Sequence, residues 1–317
     1  MAAIETEGLT KDFLVGFWRP RPYRALDALS LSVGHGEVFG FLGPNGAGKS
    51  TTLKLLMQLI YPTSGEARIL GKPAGDVGVR RRIGFLAENP YYYDYLTAEE
   101  VLAYFASLYG LTGADVKTRV SAVLDEVGIG KERRMRLRQF SKGMLQRVGL
   151  AQAIMHEPDV VFLDEPMSGL DPIGRRQTRD LILRLKQRGC TVFFSSHILS
   201  DAEALCSRVA ILVQGRLVAT GALSDIVQLE LKGWEIVAAH VPDELIARLR
   251  SRAATVTTLA EGRYMIQLRP DGVPEQVMGE LVQAGAHIVS LLPERETLED
   301  YFIRAVGTAA PRSTGMA

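Results

Sequence analysis

Hydrophobic and polar positions over roughly the first 230 residues alternate between strand-like and helix-like patterns. Apolar residues at every second position predict short strands at residues 4–9 and 29–33. Unbroken apolar runs predict strands buried on both faces, at residues 38–42, 159–163 and 191–194. Helical spacing predicts helices between these strands, at residues 97–109, 114–127, 141–156 and 173–188. The alternation of helices with buried strands indicates an α/β fold around a mostly parallel sheet.

The pattern changes after about residue 231. Strands are predicted at residues 234–241, 255–260, 264–268 and 287–292, and helices at residues 243–252, 273–284 and 298–306. This β-α-β-β-α-β-α order is typical of a small ferredoxin-like α+β domain. We therefore expect a first domain at residues 1–230, an accessory domain at residues 231–306 and a disordered tail at residues 307–317.

Composition narrows the functional classes only a little. The 317 residues are 47% hydrophobic and 23% charged, as in an ordinary globular protein, and the net charge of +1 gives no global field that would favour nucleic acid. Cys190 and Cys206 are the only cysteines, which argues against a disulfide framework or a four-cysteine zinc site. No window approaches the ~18–20 consecutive apolar residues of a membrane-spanning helix. A role at a membrane would therefore require a partner.

One stretch carries a specific chemical signal. It reads Gly43-Pro44-Asn45-Gly46-Ala47-Gly48-Lys49-Ser50-Thr51 and stands between a predicted strand and a predicted helix. The pattern GxxxxGK[ST] in this context is a phosphate loop, whose backbone N–H groups and helix N-terminus bind phosphates. We expect Lys49 to contact the β- and γ-phosphates of a nucleotide and the Ser50 hydroxyl to ligate Mg²⁺.

A pair of carboxylates separates the classes of protein that share this loop. Asp164 ends a predicted buried strand, where it can hold Mg²⁺, and Glu165 follows it, where it can activate water for attack on the γ-phosphate. A GTPase would have Asp-x-x-Gly here and base-recognition motifs further on, and the sequence has neither. The pattern favours ATP hydrolysis.

Three further motifs occur in the expected order. They are Phe140-Ser141-Lys142-Gly143-Met144, then Ser168-Gly169-Leu170-Asp171, then His197 after an apolar strand. With the phosphate loop and the carboxylate pair, they make residues 3 to about 225 resemble the ATP-binding cassette (ABC) ATPases. The first of them matches the signature motif that distinguishes this family from other phosphate-loop proteins.

The resemblance implies a fold and a set of site residues. The fold is a P-loop NTPase cassette with a RecA-like core, an antiparallel β subdomain and a helical subdomain. The implied catalytic residues are Lys49, Glu165 and His197. The implied nucleotide-binding residues are Phe13, Gly43, Pro44, Asn45, Gly46, Ala47, Gly48, Lys49, Ser50, Thr51, Glu88, Ser141, Gly143 and Asp171. The implied Mg²⁺ ligands are Ser50, Asp164 and Glu88.

The sequence departs from the family pattern at three places. Lys142 and Met144 replace the usual glycine and glutamine of the signature, while Ser141 is kept. Glu88 stands where the family has glutamine, and its carboxylate can still ligate magnesium or a water. Phe13 and Trp18 are rival candidates for the aromatic ring that stacks on adenine.

The resemblance also implies cofactors, partners and location. It implies ATP and Mg²⁺, a head-to-tail dimer with a second copy in which the Ser141 of one chain meets the ATP of the other, and a separately encoded membrane permease of the exporter type. The aromatic run at residues 91–96 is the expected contact for that permease, at the cytoplasmic face of the membrane, and no nucleic acid partner is expected. One alternative is a soluble ABC ATPase acting on ribosomes, which the single cassette disfavours, or on DNA, which the lack of long coiled coils and zinc-binding cysteines disfavours. The other is a non-hydrolysing regulatory cassette, which the retained catalytic residues disfavour.

Overall fold

The computed structural model describes residues 2–226, 231–295 and 297–309. The chain forms two compact units, divided after Ile226 and again after Arg304. In the first unit the strands are β1 (Ala2–Val15), β2 (Arg21–Gly34), β3 (Val38–Leu42), β4 (Ser64–Ile69), β5 (Lys72–Pro73), β6 (Ile83–Leu86), β7 (Val160–Asp164), β8 (Thr191–Ser196), β9 (Arg208–Val213) and β10 (Arg216–Ala222). Its helices are α1 (Lys49–Leu56), α2 (Val77–Arg80), α3 (Ala98–Leu108), α4 (Gly113–Glu126), α5 (Lys142–Ile154), α6 (Pro172–Gln187), α7 (Leu199–Leu205) and α8 (Leu223–Ile226).

The six-stranded sheet of the first unit sets the position of the functional motifs. Its strand order is β10-β9-β3-β8-β7-β6, and all neighbouring strands are parallel except β10, which is antiparallel to β9. Strands β3, β7 and β8 are almost wholly buried, as their unbroken apolar runs predict. Because β8 lies between β3 and β7, the loops that follow these three strands meet at one edge of the sheet.

A second sheet packs against this core. It has the order β2-β1-β4-β5, with all neighbouring strands antiparallel. Its buried residues form one cluster with side chains of the parallel sheet, among them Phe39, Phe41, Phe162 and Phe193. The stacked aromatic rings and the aliphatic side chains around them hold the two sheets together.

The first two strands are much longer than the alternation of residues indicates. The prediction of strands at residues 4–9 and 29–33 is too short, because β1 and β2 pair along a hairpin that brings Ala2 opposite Gly34 and Val15 opposite Arg21. Two irregularities hide this pairing in the sequence: positive-φ Gly8 interrupts the alternation, and the outer end of β2 is fully exposed. Residues 16–20 form the exposed connection.

The helices α3, α4 and α5 pack on one another as a helical part of the first unit. Helix α3 begins with a capping box, in which the Thr97 hydroxyl accepts from the Glu100 N–H and the Glu100 carboxylate accepts from the Thr97 N–H. With the parallel core and the antiparallel sheet, this part completes the predicted three-part cassette. No helix in the described ranges combines the length and the apolar character needed to cross a bilayer.

The second unit has the predicted order of elements. Its strands are β11 (Leu231–Ala239), β12 (Thr255–Ala260), β13 (Arg263–Leu268) and β14 (His287–Arg295), and its helices are α9 (Asp243–Leu249) and α10 (Pro274–Gln283). Helix α11 (Leu298–Ala309) begins in this unit and continues past its boundary at Arg304. The antiparallel sheet has the order β12-β13-β11-β14. The predicted tail at residues 307–317 begins too early, since α11 continues to Ala309. The remainder of that tail lies outside the described residues.

Candidate active site

The phosphate loop connects the buried strand β3 to helix α1. Gly48 precedes the helix with φ 106°, and a Cβ at this position would lie 2.5 Å from the Ala25 carbonyl oxygen. Glycine is therefore required here both for the left-handed backbone and for the close approach. No side chain caps the helix, so its first N–H groups are available to an anion in front of the loop.

Lys49 is held inside this loop by its own backbone and by a carboxylate. Its ammonium group donates to the carbonyl oxygens of Gly43 at 2.8 Å and Pro44 at 3.3 Å. Its Nζ also lies 3.2 Å from Glu165 Oε1, and both side chains are less than a tenth exposed. A buried charge requires a partner of this kind, and the phosphates of a nucleotide would be stronger partners than the carboxylate.

Glu165 connects Lys49 to His197. The second carboxylate oxygen, Glu165 Oε2, lies 2.8 Å from His197 Nδ1. Glu165 has φ 49°, a left-handed conformation that costs a non-glycine residue about 1–3 kcal/mol and that concentrates at functional sites. The structure thus brings the three predicted catalytic residues into one continuous polar chain at the carboxyl ends of β3, β7 and β8.

A buried serine contacts the Asp164 carboxylate and the Glu165 backbone. The Ser195 hydroxyl donates to Asp164 Oδ1 at 2.6 Å and accepts from the Glu165 N–H at 3.0 Å. Ser195 is fully buried in β8, opposite Asp164 in the parallel ladder. The sequence analysis does not predict this role. The signal that could reveal it is the register of β7 and β8, which pairs two residues that are 31 positions apart.

The pocket in front of the phosphate loop has a volume of about 380 Å³. It is lined by Phe13, Tyr23, Ala25, Asn45, Gly46, Gly48, Lys49, Ser50, Thr51, Glu88 and Glu165. These include the predicted ring Phe13, the predicted magnesium ligands Ser50 and Glu88, and most of the phosphate loop. Three predicted nucleotide-binding residues, Ser141, Gly143 and Asp171, do not line it, and neither do Gly43, Pro44 and Ala47.

Two aromatic rings stand at the outer side of this pocket. Phe13 in β1 pairs directly with Tyr23 in β2, and both line the pocket, whereas Trp18 lies in the hairpin connection and does not. The ammonium group of Lys11 lies 5.1 Å from the centre of the Phe13 ring. Tyr23 was not among the predicted residues, because its place beside Phe13 depends on how the two strands pair across the hairpin.

The signature and the segment after the carboxylates lie at exposed helix N-termini. Ser141 caps α5 by accepting from the Met144 N–H at 3.2 Å, and Asp171 caps α6 by accepting from the Gly174 N–H at 2.8 Å. Both residues are exposed, and the Lys142 side chain passes beside Gly169. These residues present backbone N–H groups and a hydroxyl to the outside of the chain rather than to its own phosphate loop.

The oxygen donors at the site fit Mg²⁺. Ser50, Asp164 and Glu88 offer hydroxyl and carboxylate oxygens, which are the ligands that this hard cation prefers. Across the described ranges, no group of three or more acidic, histidine or cysteine residues could bind a metal by itself. The donor set therefore suits a cation that takes its other ligands from substrate phosphates and water, as Mg²⁺ usually does.

A larger cleft of about 960 Å³ lies elsewhere on the first unit. Its lining includes the ion-paired residues Arg119, Glu126, Glu157 and Arg188, and none of the motif residues. This cleft has the larger volume, but the smaller pocket is the candidate nucleotide site because the phosphate loop lines it.

The chain is similar in sequence to a protein family and to individual members of it. The profile of the family described as "ABC transporter" matches residues 26–168. An uncharacterized ABC transporter ATP-binding protein, sll0415 of Synechocystis, is 43% identical over 95% of this chain and 84% of its own length. The fluoroquinolones export ATP-binding protein Rv2688c of Mycobacterium tuberculosis is 35% identical over 89% of this chain and 88% of its own length.

The fold of the chain is similar to that of a solved structure. The dimeric structure of a post-hydrolysis state of the ATP-binding cassette MJ0796, bound to ADP and Pi, matches with a TM-score of 0.65 and 25% identity. The match covers 69% of this chain and 98% of that one, so the cassette is matched almost entirely. These similarities agree with the motifs and with the arrangement of the two sheets and helical part.

Proposed function

This chain belongs to the ATP-binding proteins of ABC transporters, and from that premise we propose how its residues bind and hydrolyse ATP to drive a membrane exporter. The observation that carries the proposal is the polar chain from the buried Lys49 and Glu165 to the exposed His197, in front of the phosphate loop. This arrangement supports Lys49 as the phosphate-binding cation and Glu165 as the general base, because Glu165 lies within hydrogen-bond distance of both Lys49 and the His197 imidazole. The comparisons support ATP hydrolysis, because the matched cassette MJ0796 was captured with ADP and Pi.

Lys49 and Glu165 act in sequence on the same phosphate. The phosphates of ATP replace Glu165 as the partner of the Lys49 ammonium group, since a polyanion attracts that group more strongly than one carboxylate does. Glu165 is then free to accept the proton of a water that attacks the γ-phosphate. His197, on the other oxygen of Glu165, holds the carboxylate in orientation and contacts the transferred phosphate.

Magnesium would be held by Ser50, Asp164 and Glu88 together with phosphate oxygens. When bound, the cation neutralises charge on the phosphates in the transition state. The chain's own contribution is the fixed orientation of Asp164, whose Oδ1 accepts from the buried Ser195 hydroxyl at 2.6 Å. Glu88 lines the pocket in front of the phosphate loop, which Asp164 does not, and it adds a carboxylate where the family has glutamine.

The adenine base stacks on Phe13, with Tyr23 beside it. Both rings line the pocket, and the neighbouring strands fix their separation from the phosphate loop. Trp18 is 90% exposed in the hairpin connection and is not part of this stacking surface.

The active unit is a head-to-tail dimer of two copies. Ser141, Gly143 and Asp171 do not line the chain's own pocket, so their hydroxyl and backbone N–H groups act on ATP bound to a second copy. A two-fold arrangement gives both copies the same contacts. The dimeric cassette MJ0796 supports this arrangement. ATP closes the dimer and hydrolysis opens it, which is the movement passed to a partner.

That partner is a separately encoded permease, and the chain acts as a peripheral subunit at the cytoplasmic face of its membrane. Three exposed tyrosines mark the docking surface: Tyr91, Tyr93 and Tyr95 are 92%, 66% and 59% exposed. Tyr92 between them is anchored by a 2.6 Å hydrogen bond to Gln152. The relative named for fluoroquinolones export favours transport, in the export direction, over a soluble role on ribosomes or DNA.

The carboxy-terminal part has an accessory role. We propose a domain at residues 231–306 of the ferredoxin-like type, because its four strands and two intervening helices follow the split β-α-β order. We assign it to dimerisation or regulation rather than to nucleotide chemistry.

The substitution Glu165→Gln tests the assignment of the general base. It keeps the size of the side chain, so ATP binding should persist, while hydrolysis should fall by roughly a hundredfold or more because the base is lost. Binding is measured with a fluorescent ATP analogue and hydrolysis by phosphate release. The exposed Glu157 gives a matched control, since Glu157→Gln removes the same charge outside the pocket and should leave hydrolysis unchanged. Hydrolysis at the parental rate in Glu165→Gln would show that Glu165 is not the base.

A further inference from the structure

The connection between β1 and β2 exposes two large aromatic rings. We call residues 16–22 (Gly-Phe-Trp-Arg-Pro-Arg-Pro) the hairpin tip. Phe17 is 91% exposed and Trp18 is 90% exposed, and their rings meet edge to face with centroids 5.5 Å apart. Apart from this mutual contact, both rings lie open to solvent. Such a paired apolar surface at a protruding loop is typical of an interaction site rather than of a folding core.

The hairpin tip also carries positive charge without compensation. Arg19 and Arg21 are exposed, and no carboxylate in the described part of the chain pairs with either of them. Arg24, just beyond the tip, differs because its guanidinium group pairs with Asp12 and Asp27. The tip itself contains no acidic residue. Two cations therefore stand beside the two exposed rings and are free to meet an external anion.

The tip is distinct from the nucleotide pocket on the same hairpin. The pocket is lined by Phe13 and Tyr23, which face each other across the strands, and by no residue of the tip. Trp18 follows Phe13 by five positions, so the chain between them can reach at most about 16 Å. Pro20 and Pro22 restrict the backbone of the tip, so less conformational entropy is lost when it is held.

We propose that the hairpin tip contacts an anionic lipid bilayer, with Phe17 and Trp18 entering the headgroup region and Arg19 and Arg21 binding lipid phosphates. Tryptophan is the side chain that favours the membrane–water interface, because its ring is largely apolar and its N–H remains hydrogen-bonded. Guanidinium groups match phosphate geometry and gain from the negative surface potential. Single-stranded nucleic acid fits less well, since it requires a basic groove several nucleotides long and the tip offers two cations.

This contact goes beyond the proposed function, because it requires neither hydrolysis nor a permease. It would add a direct lipid anchor to a subunit whose attachment is otherwise through a partner. The competing occupant is a protein that covers the two rings, and the experiment distinguishes that protein from a lipid bilayer.

Trp18 supplies its own reporter. The chain has two tryptophans, so Trp234→Phe in the full-length protein leaves Trp18 as the only one. The probe is a titration with vesicles of phosphatidylcholine alone or of phosphatidylcholine with a third phosphatidylglycerol. We expect the Trp18 emission to shift to shorter wavelength with the anionic vesicles, and lipids with brominated chains to quench it. Neutral vesicles should produce the shift only at much higher lipid concentration.

Two double variants distinguish binding through the hairpin tip from non-specific attraction between the vesicles and other positive charges of the protein. Arg19→Ser with Arg21→Ser should weaken binding to the anionic vesicles by roughly thirtyfold, as expected for two surface charges. Arg80→Ser with Arg81→Ser removes the same charge from another exposed part of the first unit and should leave binding unchanged. Equal loss in both double variants would overturn the proposal in favour of non-specific attraction. An unshifted Trp18 emission with both kinds of vesicle would overturn it in favour of a protein occupant.

Discussion

Ser195 is the residue whose importance only the structure reveals, and Ser195→Ala is its most direct perturbation. The substitution removes one hydroxyl and leaves the rest of the buried strand unchanged. Asp164 then loses the 2.6 Å hydrogen bond that fixes its Oδ1, and the Glu165 N–H loses its acceptor at 3.0 Å. One missing atom therefore removes a contact from the Asp164 carboxylate and another from the Glu165 backbone.

The size of the effect follows from burial. Ser195 is fully buried, so water cannot replace the lost partners. A hydrogen bond to a charged group contributes about 1.5–3 kcal/mol, and a buried N–H left without an acceptor costs about 1–3 kcal/mol. We expect the free energy of unfolding to fall by about 4 kcal/mol and the Tm by about 10 °C. Loss of an outer-shell partner of a metal ligand should lower hydrolysis and magnesium affinity by roughly 10- to 100-fold.

The assay is phosphate release at saturating ATP over a magnesium titration, combined with thermal unfolding. Thr10→Val is the matched control, because the Thr10 hydroxyl also makes two hydrogen bonds, donating to the Gly8 carbonyl at 3.0 Å and accepting from the Ala28 N–H at 3.0 Å. It should lower the Tm and leave the magnesium dependence unchanged. A Ser195→Ala protein with the parental rate and the parental magnesium dependence would refute the orienting role of the serine.

Three further results are expected. Lys49→Ala should abolish nucleotide binding or turnover, since it removes the buried cation of the phosphate loop. Binding is measured with a fluorescent ATP analogue and turnover by phosphate release. Parental values for both would contradict the role of Lys49. Phe13→Ala should weaken ATP binding by roughly tenfold, because the energy of stacking one base on the ring is lost. Trp18→Ala should leave the affinity for ATP unchanged. A weaker affinity in Trp18→Ala and a parental affinity in Phe13→Ala would instead assign the stacking role to Trp18. Burial raises the pKa of the Cys190 thiol to about 12 and also raises the pKa of the Cys206 thiol. Because the thiolate is the reactive form, alkylation of the native protein should stay slow from pH 7 to 9 and become fast only on unfolding, and rapid reaction of the native protein near pH 8 would contradict the burial.

The parts of the site that the sequence predicts are those encoded by local pattern. The phosphate loop, the Asp164–Glu165 pair and the signature at Ser141 each consist of neighbouring residues whose chemistry is readable without a fold. The parallel core could be predicted for the same reason, because strands buried on both faces are unbroken apolar runs. The family resemblance then placed these motifs relative to one another.

The parts that the sequence did not predict depend on pairing between distant strands. Tyr23 lines the pocket because it lies opposite Phe13 in the β1–β2 hairpin. Glycine and proline residues interrupt the alternating pattern from which that hairpin could be predicted. Ser195 acts through its place opposite Asp164 in a parallel ladder. In both cases the register of two strands determines which side chains are in contact, and that register cannot be predicted from the residues of either strand alone.

The central claim is that ATP joins two copies of the chain and that hydrolysis separates them. The most direct measurement is the molar mass of the Glu165→Gln protein, by size-exclusion chromatography with light scattering, with and without MgATP. The account predicts a monomer without nucleotide, a dimer with MgATP, and a monomer again when Ser141→Arg is added to block the contact in trans. A protein that binds ATP and stays monomeric, or one that is equally dimeric in both conditions, would contradict closure by ATP.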